Sequence, residues 1–169
     1  MYKLLNGVLI ASLLIAFSYP VVGEVTKLTI DSDSTWKCIN FEQPGWTSED
    51  YDDSWWEPAA QGSQWIETGR TIWYPGDIQP KTVYFRKSFE IDGSDILIGQ
   101  LFTGLIHSGG NIELYVNDQR VGDTTSTYDD PQEFDVTPLL KPGMNVIAAK
   151  VSVESSSWAL TGTIRYTKS

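Results

Sequence analysis

Trp158-Ala159-Leu160-Thr161-Gly162-Thr163-Ile164-Arg165-Tyr166 decides the fold, because its residues alternate, with Trp158, Leu160, Ile164 and Tyr166 on one side. A period of two sends successive side chains to opposite faces, so this stretch reads as a strand with one apolar face. Thr82 to Ile91 repeats the pattern: Val83, Phe85, Phe89 and Ile91 face one way, Tyr84, Arg86, Ser88 and Glu90 the other. Ile112, Leu114 and Val116 share a face, with Glu113 and Tyr115 opposite. Val146 to Val153 begins apolar on both parities, as a strand covered on both sides would. Val25 to Ile30, Trp36 to Phe41 and Ile96 to Phe102 are three further strand candidates. Long helical periodicity is absent.

Turn chemistry separates these runs. Asn117-Asp118 lies between two extended segments and reads as a hairpin turn. Asp92-Gly93, Gly109-Gly110 and Lys141-Pro142-Gly143 are further turn signals. Thr137-Pro138-Leu139-Leu140 reads as one short helical turn, with Thr137 as cap and proline at the first helical position. Many short strands with turns between them predict an all-β chain, an antiparallel sandwich or jelly roll. From Glu42 to Gly76 the periodicity lapses, and five of the seven tryptophans fall there: Trp46, Trp55, Trp56, Trp65 and Trp73. A segment of that length without a pattern, inside a compact domain, points to function.

The 169 residues divide into two parts. Lys3, the apolar run Leu4 to Phe17 and the small residues up to Gly23 predict a secretory signal peptide over 1–23. The run is shorter than the roughly 20 residues of a spanning helix, which argues against a membrane anchor. Residues 24–169 then form a single domain, long enough for its own core and expected to be secreted, extracellular or at the cell surface. Cys38 is the sole cysteine, so an internal disulfide is excluded and a buried thiol is expected. Acidic residues outnumber basic ones 22 to 12, which disfavours nucleic acid and anionic membranes as partners.

Four segments resemble the galactose-binding-like, sugar-binding domain that accompanies catalytic domains in family 2 glycoside hydrolases and α-L-rhamnosidases. They are Tyr51-Asp52-Asp53-Ser54-Trp55-Trp56-Glu57-Pro58-Ala59; Ile72-Trp73-Tyr74-Pro75 with Val83 to Phe89; Glu113 to Gly122; and Phe134 to Leu140 with Gly143 to Ala148. They occur in the family's order, although the hairpin turn is Asn-Asp where the family usually has Asn-Gly. The resemblance implies an eight- or nine-stranded galactose-binding-domain-like jelly roll and no catalytic residues. It casts Trp56 and Phe85 as core and Arg86 as the partner of an acidic neighbour.

The chemistry agrees with a non-enzyme. His107 has no cysteine beside it, and no serine sits in a Gly-x-Ser-x-Gly elbow. One His and one Cys make a zinc site improbable, whereas Asp31-x-Asp33, Asp52-Asp53 and Asp129-Asp130 are loop acids of the type calcium uses. No cofactor is required, and a structural calcium ion is an open expectation. A sugar site needs a flat aromatic under the ring and polar groups around its rim. Trp is mostly buried on average, so each one alone is a core candidate. Trp55 and Trp56, as neighbours, are not expected to be core together. The candidates for stacking are Trp55, Trp65, Trp73 and Tyr74, and for hydrogen bonding Arg70 and His107. The expected function is extracellular carbohydrate binding without catalysis. The alternative is a secreted structural or adhesive protein that self-associates through exposed aromatics and sheet edges.

Overall fold

The computed structural model describes residues 23–61, 71–76, 80–105, 109–127, 129–152 and 158–168. Twelve strands are named among them: β1 (Glu24–Asp31), β2 (Lys37–Ile39), β3 (Glu57–Pro58), β4 (Ala60–Gln61), β5 (Ile72–Trp73), β6 (Thr82–Ile91), β7 (Asp95–Leu105), β8 (Asn111–Val116), β9 (Gln119–Thr124), β10 (Gln132–Asp135), β11 (Gly143–Ser152) and β12 (Trp158–Lys168). One sheet runs β10-β7-β12-β5-β4, with β1 also paired to β12; the other runs β3-β2-β6-β11-β8-β9. Every paired strand is antiparallel to its neighbour. The chain is an all-β sandwich. Eight strands have four residues or more and four have two or three, bringing each sheet to six and the count above the eight or nine that the resemblance implies. Among the described residues no helix is long and apolar enough to cross a membrane.

The alternation read from sequence decides which side chains meet. Trp158, Leu160, Ile164 and Tyr166 of β12 face Val83, Phe85, Phe89 and Ile91 of β6 and Ile147, Ala149 and Val151 of β11 across one core. At its centre Trp36 and Trp158 pack edge to face, with ring centroids 5.0 Å apart. β11 is paired on both edges, by β6 and β8, and covered on both faces, which explains its apolar residues of both parities. The second parity has its own cover. Val146 and Ala148 of β11 and Tyr84 of β6 form a separate cluster with Ile39, Trp46 and Trp56 on the outer face of that sheet.

Two local expectations are corrected. The strand expected over Trp36 to Phe41 is confined to Lys37–Ile39, because Trp36 closes a turn on Asp33 and Phe41 lies past the strand end. Thr137 does not cap the helical turn. Thr137–Leu139 is a 3-10 turn whose N-cap is Val136, and the Asp135 carboxylate accepts the Thr137 backbone N–H at 2.9 Å. An aspartate two positions earlier supplies the acceptor that the threonine was expected to provide. The strand expected over Val146 to Val153 is described from Gly143 to Ser152, and Val153 lies outside the described residues. The Asn117-Asp118 turn is as read: φ is 49° and 66°, the paired left-handed conformation of a type I′ hairpin, joining β8 to β9.

Candidate functional site

The aperiodic tryptophan-rich segment lies as a cover on the outer face of one sheet, and Arg86 anchors it. Arg86 points outward from β6 yet is 1% exposed. Its Nε donates to Asp53 Oδ2 at 2.9 Å. Its remaining donors go to the backbone carbonyls of Trp46, Ser48 and Tyr51. A guanidinium offers five donors in a fixed fork, so one side chain organises several otherwise unpaired loop carbonyls. The Tyr51 ring lies 5.1 Å from the guanidinium carbon. Trp46 and Trp56, only 6% and 3% exposed, fill the space between loop and sheet. They are core, although a second core beneath a loop was not expected.

Immediately after this anchor the chain makes a tight turn that presents Trp55. Asp52 Oδ1 accepts the Ser54 backbone N–H at 3.0 Å, and the Trp56 N–H bonds the Asp53 carbonyl at 3.0 Å. These local bonds turn the backbone so that the adjacent indoles stand at 76° to each other, 6.3 Å apart. Trp56 goes inward and Trp55 stays 53% exposed. The expectation that the two would separate holds, but a turn and not strand alternation separates them. Phe41, 50% exposed, lies beside Trp55 with ring centroids 6.2 Å apart and planes tilted by 37°.

Phe41, Trp55 and Tyr74 share a cleft of about 180 Å³, with Asn40 and Glu57 supplying polar groups and Cys38, Ile39 and Trp56 behind them. Burial, then the Glu57 carboxylate, raises the Tyr74 phenol above its ordinary pKa. Burial, then the same carboxylate, pushes the Cys38 thiol up to about 12, so it stays protonated and is no nucleophile near neutral pH.

Of the six residues singled out by sequence, two come together here, Trp55 and Tyr74. Trp73 is half-buried on β5, opposite Ala60 of β4. Trp65, Arg70 and His107 lie outside the described residues. Phe41 was missed because the apolar run Trp36 to Phe41 reads as one strand. Gln43-Pro44-Gly45 just after it is the signal that the chain is already leaving the sheet. A second depression, about 470 Å³, is lined by Glu42, Trp46, Tyr115 and Asp118 among others. Its tryptophan is the buried Trp46, so it has no open indole face to offer.

Three of the six loop acids considered for calcium have partners, whereas Asp31 Oδ1 is buried without a hydrogen bond. Asp33 takes Lys87 and Thr35, Asp53 takes Arg86, and Asp52 takes Ser54. Among the described residues no three His, Cys, Asp or Glu side chains gather as a metal cluster.

Neither a protein-family profile nor a curated protein sequence matches this chain. Solved structures do. A glycosyl hydrolase family 2 member from Bacteroides cellulosilyticus matches with a TM-score of 0.60 and 22% identity, over 80% of this chain and 20% of that one. A β-glycosidase from Bacteroides vulgatus gives 0.55 and 22%, over 79% and 20%. A β-glucuronidase from Bacteroides uniformis gives 0.55 and 16%, over 82% and 18%. The chain therefore spans about a fifth of the length of these enzymes, and what it shares with that fifth is the β-sandwich fold.

Proposed function

We propose that this chain is a non-catalytic carbohydrate-binding module of the galactose-binding-like kind, in which Trp55 and Phe41 form the stacking platform of the cleft. One observation carries the reading: two large aromatics are held half-exposed side by side over a cleft with a polar rim. Trp56, beneath Trp55, is fixed through Tyr51 and the buried cluster. A pyranose has an apolar C–H face and an edge of hydroxyls, and such a cleft suits both. The fold's likeness to a fifth of family 2 glycosidases supports a carbohydrate setting. The inert Cys38 fits a binding role. Trp65, Trp73, Arg70 and His107 are assigned to further contacts with the glycan, beyond the ring that stacks on Trp55. Recognition in this reading needs no cofactor, and calcium has a structural part at most. Residues 1–23 direct secretion of the 24–169 domain.

The test is a glycan array probed with the protein and with Trp55→Ala, with and without calcium. Saturable binding lost in the variant supports the reading. Absence of binding to every glycan, together with concentration-dependent oligomers, would move the function to self-assembly.

A further inference from the structure

Glu57 gives the cleft a sign, and we infer that the site selects an uncharged sugar ring and turns away uronic acids, an inference resting on the glycan-binding reading above. Glu57 lies on the exposed strand β3, directly opposite Cys38 of β2. Directly opposed residues share a face, so Glu57 points the same way as Cys38 and lines the cleft with Trp55 and Tyr74. Lys37, the lysine of the same short ladder, is opposite Pro58 and therefore on the other face. No ion pair among the described residues involves Glu57.

A carboxylate with no ion-pair partner among the described residues has two oxygens to accept hydrogen bonds from neighbouring sugar hydroxyls. A uronic acid stacked on the same indole brings a second carboxylate close to the first, and the two repel. The chain's net charge of −10 acts in the same direction. Size narrows the ligand further. At about 180 Å³ the cleft is smaller than the roughly 300 Å³ at which pockets for drug-sized ligands begin, which leaves room for one ring. The ring recognised is therefore a single neutral pyranose, with the rest of the glycan outside.

The test uses the intact protein and two matched pairs of glycans, ending in glucose or glucuronic acid and in galactose or galacturonic acid, with tryptophan fluorescence as the readout. The neutral member of a pair is expected to bind at least about fivefold tighter at low salt, by like-charge repulsion alone. Glu57→Gln, an exposed substitution, is expected to bring the pair within about twofold. Uronic acids bound as tightly as their neutral partners, or a preference unchanged in Glu57→Gln, overturn the inference and leave glycan binding standing. Absence of binding to both pairs also overturns it, and the array result then decides whether the glycan reading falls as well.

Discussion

Arg86 and Asp53, 33 residues apart in sequence, meet at 2.9 Å, and this pair ties the loop that carries Trp55 to strand β6. The arginine is 1% exposed, so its removal strands Asp53 and the carbonyls of Trp46, Ser48 and Tyr51. Breaking a buried pair by removing one partner costs about 3–5 kcal/mol. Arg86→Ala should lower the urea midpoint accordingly. Arg86→Lys keeps the charge but loses the fork, so it should fall between the two. A midpoint unchanged in Arg86→Ala would mean that the loop holds to the sheet through Trp46 and Trp56 alone.

The tryptophans should divide into two groups. Trp158 is fully buried against Trp36 and Phe85, and Trp158→Ala should cost about 3–5 kcal/mol in unfolding free energy. Trp55 is 53% exposed, and Trp55→Ala should change stability by only about 0.5 kcal/mol. Equilibrium denaturation of the two variants checks the contrast. A large loss in Trp55→Ala would make that ring a structural element and weaken its assignment as a platform.

The long strands were legible because burial on one face writes itself as a period of two, and β6, β8 and β12 carry that period plainly. The Asn117-Asp118 turn was legible because few residue pairs accept two left-handed conformations. Most of the site was not. Trp46 and Trp56 are buried by a loop folding back onto a sheet, and a loop has no period to betray which residue faces inward. The role of Arg86 as an anchor depends on three carbonyls, and backbone groups leave no mark in sequence. Trp55 could be separated from Trp56 only because two adjacent indoles cannot both turn inward there. Tyr74 and Phe41 are 33 positions apart, and only the pairing of β2 with β3 and the position of β5 bring them to one cleft.

Asn145 should be among the least replaceable polar residues. It is fully buried at the start of β11. Its oxygen accepts the Lys141 backbone N–H and the Asn117 side-chain amide, and its amide donates to the Lys141 and Gly143 carbonyls. Asn117 in turn accepts the Val146 N–H and donates to Leu139, so one network holds the hairpin turn, the 3-10 turn and β11 together. Each buried group left unpaired costs about 1–3 kcal/mol. Asn145→Leu, which strands several, should lower stability by at least about 3 kcal/mol by that measure. Asn145→Asp keeps the acceptor and loses both donations, so it too should be destabilised. Thermal unfolding of both variants measures this, and a leucine variant as stable as the parent would show that solvent reaches these groups.

Cys38 should make the fold sensitive to alkali. Burial, then the nearby Glu57 carboxylate, raises its thiol from 9.0 to about 12. A folded-state pKa above the unfolded one means that the folded protein holds the proton over a range where the unfolded chain has released it. The contribution is complete below about pH 9 and is lost as pH rises from there toward 12, on the order of a few kcal/mol in all. Tyr74, Tyr84 and Tyr115, each raised first by burial, titrate in the same direction. Urea unfolding at pH 8 and at pH 10.5 should therefore show a lower midpoint at the higher pH. In Cys38→Ala the midpoint should fall less over the same interval, although the variant starts lower for want of the sulfur's packing. An identical decline in both proteins would assign the alkaline instability to the tyrosines. The same burial predicts that a thiol-alkylating reagent labels Cys38 only after denaturation. Rapid labelling of the native protein would place the thiol at the open side of the cleft, within reach of whatever binds on Trp55.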